Sequence, residues 1–213
     1  PIGCTFCATG KLGLLQDLSC GEIVAQVLHF ARKSHNEEHP ITNIVIMGMG
    51  EPFLNYQEVK KAIEILNDHD GLNIGSRHIT LSTIGIPEQI LQFASDFPQL
   101  NLAISLHAAT DQQRDLLVPI NKKYNIARLL EAVKQYITLT NRRVTFEYVL
   151  IDGINDTATD AHNIGSILHG LLCHVNLIPL NPTALFIGKT PPLERIEKFQ
   201  RILYEHHIPA TIR

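Results

Sequence analysis

The stretch Val144-Thr-Phe-Glu-Tyr-Val-Leu-Ile151 is a nearly continuous apolar run that ends at the turn signal Asp152-Gly153. A helical pattern follows over Thr157–Leu171, and a second apolar run occupies His174–Leu180. Continuous apolar runs are typical of parallel strands that are covered on both faces, and a helix between two of them forms a βαβ unit. This segment therefore predicts an α/β fold built on a parallel sheet.

The same alternation of strands and helices runs along the rest of the chain. Six strands are predicted, at Asn43–Met49, His78–Thr83, Leu100–His107, Val144–Ile151, His174–Leu180 and Ile208–Arg213. Six amphipathic helices are predicted with them, at Glu22–Lys33, Glu58–Asn67, Pro87–Phe97, Ile126–Thr138, Thr157–Leu171 and Pro192–His206. A chain of 213 residues suits a single α/β domain, so we expect one partial (βα)6 barrel that resembles a TIM barrel.

Composition and charge narrow the class of protein. The 18 Lys and Arg residues against 21 Asp and Glu give a formal net charge of −3, so there is no overall basic field to attract nucleic acid. The least polar stretch, Gly165–Leu180, is interrupted by polar residues and is too short to span a membrane. Four cysteines are too few for a secreted disulfide framework, so we expect a cytoplasmic protein.

Polar residues stand where the predicted strands end. They are Gly50 with Glu51, Ser82, Ser105 with His107, Asp152 and Asn181. The carboxyl ends of parallel barrel strands meet at one rim, where sites are built, so we expect these residues to lie together. Each also has a plain structural interpretation: Glu51 as a helix N-cap, the serines and the asparagine as turn residues, and His107 as a structural histidine.

Near the N-terminus, Cys4-Thr-Phe-Cys7 forms a C-x-x-C pair. This spacing suits zinc, a redox dithiol or an iron–sulfur cluster, and it also occurs without function. No second C-x-x-C and no close pair of histidines completes a zinc site, and a glycine-rich loop is expected at Gly10–Gly13, where a redox motif would begin a helix. The spacing alone leaves the alternatives open.

Seven blocks in a fixed order resemble a known family. They are Cys4-Thr-Phe-Cys7-Ala-Thr-Gly-Lys, Met47-Gly-Met-Gly-Glu51-Pro52, Leu81-Ser-Thr-Ile-Gly85, Ser105-Leu-His107, Pro119-Ile-Asn-Lys-Lys-Tyr124, Val144–Asn155 and Asn176-Leu-Ile-Pro-Leu-Asn181-Pro182. Together they are similar to the radical S-adenosylmethionine ribosomal RNA adenine methyltransferases, the RlmN and Cfr group. The resemblance implies a barrel of the radical S-adenosylmethionine type, with a [4Fe–4S] cluster and S-adenosylmethionine as cofactors.

The resemblance also implies roles for individual residues. Cys4 and Cys7 match the second and third cluster ligands, and the first would stand directly before Pro1. Gly50 and Glu51 would receive the ammonium group of S-adenosylmethionine. Its carboxylate, ribose or adenine would be bound by the remaining polar rim residues, namely Ser82, Ser105, Leu106, His107 and Asn181.

The implied reaction is methylation of an adenine carbon in 23S rRNA, and in some members also in tRNA, with two molecules of S-adenosylmethionine. Glu51-Pro52 favours carbon 2 over carbon 8. The methyl-carrying cysteine would lie beyond Arg213 and the resolving cysteine upstream of the cluster motif, so we expect no catalytic residue in this chain. Residues 1–213 would be the core domain, inactive alone, without the N-terminal accessory domain, the first cluster cysteine and the C-terminal segment.

Further expectations concern partners and alternatives. We expect an electron donor such as flavodoxin or ferredoxin, a monomer and no membrane association. For RNA phosphates, the basic candidates are Lys122-Lys123, Arg142-Arg143 and Lys11. The alternatives are methylation of carbon 8 of the same adenine, another radical S-adenosylmethionine enzyme, and a catalytically dead barrel that binds metal.

Overall fold

The computed structural model describes residues 2–36 and 40–213. Its strands are β1 (Ile44–Ile46), β2 (Ile79–Thr83), β3 (Asn101–Ser105), β4 (Val144–Leu150), β5 (Cys173–Pro179) and β6 (Ala210–Ile212). Its helices are α1 (Ala8–Leu12), α2 (Cys20–Asn36), α3 (Tyr56–Asn67), α4 (Pro87–Asp96), α5 (Asp111–Leu117), α6 (Ile126–Thr140), α7 (Ala158–Ile167) and α8 (Leu193–Glu205). Each of the six predicted strands and six predicted helices is confirmed, with shifted ends.

The six strands form one sheet in the order β1-β2-β3-β4-β5-β6, and every neighbouring pair is parallel. Because β1 and β6 stand at opposite edges, the sheet is open. This arrangement confirms the predicted α/β fold and partial (βα)6 barrel. It also places the carboxyl ends of all strands along one rim, as expected from the sequence.

The two faces of the sheet differ in chemistry. On β4, Phe146 and Tyr148 belong to the main core that packs against the helices. Their neighbour Glu147 is buried, and Asn176 donates to its carboxylate at 2.9 Å. Further along β4, Val149 belongs to a second, smaller core. Side chains alternate between the faces of a strand, so the helix-facing side is apolar and the opposite side carries polar groups as well.

Local signals set several helix ends. Ser19 and Glu22 form the expected capping box before α2, because each backbone N–H bonds to the other residue's side chain. The Asn125 side chain caps α6 as predicted. Helix α7, however, ends at Ile167 rather than Leu171. The chain leaves the helix there through Gly170, whose φ of 76° favours glycine.

Two short helices, α1 and α5, were not predicted from the sequence. Helix α1 has five residues and lies directly after the C-x-x-C pair, so the loop expected at Gly10–Gly13 is wrong for Gly10–Leu12, which are helical. Helix α5 has seven residues and is capped by Thr110, whose hydroxyl accepts from the backbone N–H of Gln113. Both are too short to show an apolar period. Among the residues described, no helix combines the length and apolar character needed to cross a bilayer.

Candidate cofactor site

A cavity of about 190 Å³ lies at the carboxyl ends of β1, β2 and β3, beside the N-terminal segment. Seven of the nine predicted site residues line it, namely Cys4, Cys7, Gly50, Glu51, Ser82, Ser105 and His107. The cavity therefore joins the C-x-x-C pair to the polar strand ends, which are distant in sequence.

The other two predicted residues, Leu106 and Asn181, are not among the residues that line this cavity. Leu106 is fully buried in the main core, because its side chain points to the helix-facing side of the sheet. Asn181 is exposed and follows β5, two strands beyond the last strand that forms the cavity. The resemblance suggested their roles, but alternation and strand order separate both from this cavity.

Cys4 and Cys7 share one tight turn, in which the backbone N–H of Cys7 donates to the carbonyl of Cys4 at 3.2 Å. Both are partly buried free cysteines. Burial, followed by the nearby Cys7 thiolate, raises the pKa of Cys4 to about 11. Two thiols in one turn suit a metal centre, which binds thiolates and offsets their charge. The residues present therefore fit an iron–sulfur cluster.

The carboxylate of Glu51 is held by the protein. It accepts hydrogen bonds from the Thr83 hydroxyl at 2.6 Å, the Ile84 N–H at 2.7 Å and the Phe53 N–H at 3.0 Å. Through the bond to Phe53 it caps the 3-10 helix Pro52–Asn55, so the N-cap interpretation describes this side chain. Burial raises the pKa of Glu51 despite these donors. A carboxylate offers about four acceptor positions, so about one remains for a ligand.

His107 is buried and adopts a φ of 60°, in the left-handed region. Its Nδ1 accepts from the backbone N–H of Val149 at 3.1 Å, so the ring proton lies on Nε2. Burial, followed by the charge of Arg114, lowers the pKa of His107 to about 3 and keeps the ring neutral. Phe6 packs edge-on against it at 5.0 Å. Because His107 lines the cavity, Nε2–H is the ring donor that it can offer to a ligand there.

The basic RNA candidates are scattered. Lys11 is exposed on α1, next to the cavity-lining Gly10. Lys122 and Lys123 are exposed in the turn before α6. Arg142 and Arg143 precede β4, and Arg142 donates to Asn101 at the start of β3. The last pair therefore lies at the amino ends of the strands, opposite the cavity.

Two polar residues that are buried next to the site were not predicted from the sequence to belong there. The side chain of Asn155 contacts the loops after β3 and β4, and that of Arg114 contacts the segments after β2 and β3. Arginine in a short helix and asparagine after a strand are ordinarily exposed, and neither sequence position carried a signal of burial.

Comparison with known proteins identifies the family. The sequence model of the radical SAM superfamily matches residues 1–162, which include the C-x-x-C pair and every cavity-lining residue. The chain belongs to the radical SAM superfamily. Membership implies a [4Fe–4S] cluster and S-adenosylmethionine as cofactors, as the sequence resemblance had indicated.

Individual radical SAM relatives match the whole chain. A protein of Thermotoga neapolitana, named "Probable dual-specificity RNA methyltransferase RlmN", is 51% identical over 213 residues, which are 100% of this chain and 61% of the relative. A protein of the same name from Thermotoga sp. (strain RQ2) is 52% identical, with the same coverage. The chain thus spans about 61% of the length of these relatives.

A solved structure shows the same fold. The crystal structure of a radical SAM methyltransferase from Sphaerobacter thermophilus superposes with a TM-score of 0.97 at 50% identity. The match covers 100% of this chain and 62% of that one. Overlap of this extent includes all six strands, so the open parallel sheet is shared with a methyltransferase of the superfamily.

Proposed function

We propose that the protein is a radical SAM RNA methyltransferase that modifies carbon 2 of an adenine in 23S rRNA, with tRNA as a second substrate, in the cytoplasm. The observation that carries the proposal is the cavity that joins Cys4 and Cys7 to the ends of β1–β3. Relatives about half identical along the whole chain, named as dual-specificity RNA methyltransferases, support RNA as the substrate. Glu51-Pro52 supports carbon 2.

The chain's own residues would prepare the cofactors for reaction. Cys4 and Cys7 would hold the cluster, which when bound supplies one electron to S-adenosylmethionine from a donor such as flavodoxin or ferredoxin. The Nε2–H of His107 and the hydroxyls of Ser82 and Ser105 would orient S-adenosylmethionine, because all three residues line the cavity. The methyl-carrying and resolving cysteines would come from outside residues 1–213.

Iron content tests the first half of the proposal. In the protein as its gene encodes it, reconstituted without oxygen, Cys4→Ala and Cys7→Ala should each lose most bound iron and sulfide and the absorption of the cluster. The matched control is Cys20→Ala, because Cys20 is a partly buried thiol at the start of α2 and does not line the cavity. Zinc without iron in the unaltered protein would support the metal-binding scaffold instead and contradict the proposal.

Mass spectrometry of nucleosides tests the second half. Ribosomal RNA and tRNA from a strain that lacks the gene should acquire 2-methyladenosine when incubated with the reconstituted protein, S-adenosylmethionine and a reductant. Formation of 8-methyladenosine alone would contradict the choice of carbon. Cleavage of S-adenosylmethionine without any RNA product would point to a radical SAM enzyme with another substrate.

A further inference from the structure

The side chain of Arg114 on α5 is completely buried. A guanidinium has five N–H donors, and the structure supplies five acceptors. Nε donates to the carbonyl of Leu106 at 3.0 Å. Nη1 donates to Asn121 Oδ1 at 3.0 Å and to the carbonyl of Tyr124 at 3.4 Å. Nη2 donates to the carbonyls of Ile84 at 2.8 Å and Ser105 at 3.2 Å. No donor of this side chain is left unsatisfied.

Three of these acceptors belong to the segments that form the cavity. Ile84 lines the cavity and directly follows β2. Ser105 ends β3 and also lines the cavity, and Leu106 comes next. One planar group thus bonds to both strands just beyond their last ladder pair, Thr83 and Ile104. Ser82 and Ser105 stand on these two strands, so Arg114 braces the ends that carry their hydroxyls.

The charge of Arg114 has no direct carboxylate partner. Among residues 2–36 and 40–213, no Asp or Glu oxygen lies within ion-pair distance of its nitrogens. Asp111 and Asp115 are reached only through the amide of Asn121, which donates to both carboxylates. A buried cation without an ion-pair partner is unfavourable, so an anion close by would stabilise it.

The turn that holds Cys4 and Cys7 is hydrogen-bonded to the same short helix, α5. The backbone N–H of Thr5 donates to the carbonyl of Leu117, the last residue of α5, at 3.0 Å. Cys4 packs against the small core that contains Leu117 and Ile84. Burial lowers the pKa of Arg114 to about 10. The turn that holds Cys4 and Cys7 therefore packs beside the helix and the small core that surround the buried guanidinium.

We propose that Arg114 is a positioning residue of the cofactor site, which spaces the ends of β2 and β3 for S-adenosylmethionine and serves as the buried counter-cation of the thiolate-bound cluster. The inference rests on the proposed radical SAM function. An iron–sulfur cluster held by thiolates has a net negative charge that grows on reduction, so a fixed cation nearby favours the reduced state. Helix α5 would then couple cluster charge to the geometry of the binding strands.

Three variants separate the positioning of the strand ends from the counter-charge to the cluster. Each is made in the protein as its gene encodes it. Arg114→Lys keeps the charge but has three donors in place of five, Arg114→Met removes both charge and donors, and Arg128→Met is the control. Arg128 is an exposed arginine of α6 that pairs with Glu88. The readouts are the affinity for S-adenosylmethionine by equilibrium dialysis and the midpoint potential of the cluster by spin-resonance titration.

We expect both Arg114 variants to bind S-adenosylmethionine about tenfold or more weakly, which corresponds to about 1.4 kcal/mol. Only Arg114→Met should also lower the midpoint potential, while Arg114→Lys keeps it near the original value. Arg128→Met should change neither. If Arg114→Met does not fold, Arg114→Gln, which removes the charge but keeps an amide donor, takes its place and should lower the midpoint potential in the same way.

Other outcomes overturn the inference. Arg114→Lys or Arg114→Met with unchanged affinity and potential, but with a lower melting temperature, would show that Arg114 only supports the fold. Unaltered protein that assembles no cluster and binds no S-adenosylmethionine would instead overturn the proposed function itself. The two failures are distinguished by the behaviour of the unaltered protein.

Discussion

The side-chain amide of Asn155 donates a hydrogen bond of 2.8 Å to the carbonyl oxygen of His107, which joins the loop after β4 to the end of the β3 segment. The same amide donates to the carbonyl of Val149 at 2.7 Å, and Asn155 Oδ1 accepts from the N–H of Ile151 at 2.8 Å. Asn155 is completely buried. The His107 ring in turn accepts from the N–H of Val149, so the side chains of Asn155 and His107 both hold the backbone of Val149.

Asn155→Asp should destabilise the protein strongly. Aspartate cannot donate, so the carbonyls of His107 and Val149 would face a buried carboxylate in place of an N–H group. We expect the free energy of unfolding to fall by about 3 kcal/mol, measured by urea denaturation. Asn125→Asp is the control, because Asn125 is an exposed N-cap and aspartate caps equally well. A loss below about 1 kcal/mol for Asn155→Asp would contradict the role of this amide.

His107 should make the protein sensitive to mild acid. Its pKa is lowered from an ordinary value of 6.5 to about 3 by burial and then by Arg114. Between these values the unfolded chain binds a proton that the folded chain does not. Stability from this residue is therefore complete above about pH 6.5 and falls by about 1.4 kcal/mol for each unit of pH below it.

His107→Asn tests this pH dependence. Asparagine tolerates the left-handed backbone of this position and can offer an oxygen to the N–H of Val149. We expect urea denaturation at a series of pH values from about 7 to about 4.5 to show a shallower decline for the variant than for the unaltered protein. Parallel declines would indicate that other groups cause the acid sensitivity.

The sequence predicted the order and type of the elements because apolar period and length are local properties. The strand Val144–Leu150 and the helix Ile126–Thr140 show this directly, since each begins at its predicted residue. Short helix α5 could not be predicted in this way. Its seven residues are specified by the contacts of Arg114 and by the Thr110 cap, and such contacts form only after distant segments have met.

The candidate site was likewise predictable only in part from the sequence. The sequence placed Ser82, Ser105 and His107 at one rim, and all three line the cavity. It did not reveal that the Glu51 carboxylate is already occupied by three protein donors, because Thr83 and Ile84 lie more than thirty residues away along the chain. A rim position can be read from strand order, but the hydrogen-bond partners of a side chain depend on register and rotamer.

Gly85→Ala should destabilise the site by steric contact and backbone strain. Gly85 has a φ of 98°, and a Cβ atom there would lie 2.4 Å from Leu129 Cδ1. Leu129 is completely buried in the main core, so it cannot move without disturbing its neighbours. We expect a loss of about 2 kcal/mol or more by urea denaturation.

Gly21→Ala is the matched control for this substitution. Gly21 lies in α2, has an ordinary φ and would meet no atom within 4 Å. Because alanine favours helix over glycine, this variant should be unchanged or up to about 1 kcal/mol more stable. Equal effects of the two substitutions would mean that the contact with Leu129 is relieved at little cost.

Glu51→Gln distinguishes a positioning role of this carboxylate from direct binding of the cofactor. Glutamine has nearly the same shape, but it keeps one acceptor oxygen. Its NH2 group would face either the N–H of Ile84 or the N–H of Phe53, because these donors bond to different carboxylate oxygens. At least one buried donor then loses its partner, which should lower the free energy of unfolding of the cofactor-free protein by about 2 kcal/mol.

The same variant should also bind S-adenosylmethionine more weakly, because the Glu51 carboxylate ties the loop after β1 to the end of β2, and both line the cavity. Glu131→Gln, at an exposed position of α6 where the carboxylate contacts Gln135, should leave stability and affinity unchanged. If the main role of Glu51 were a direct contact with the cofactor, Glu51→Gln would reduce affinity while the cofactor-free protein kept its stability. Loss of both together is the result that three protein donors on one buried carboxylate predict.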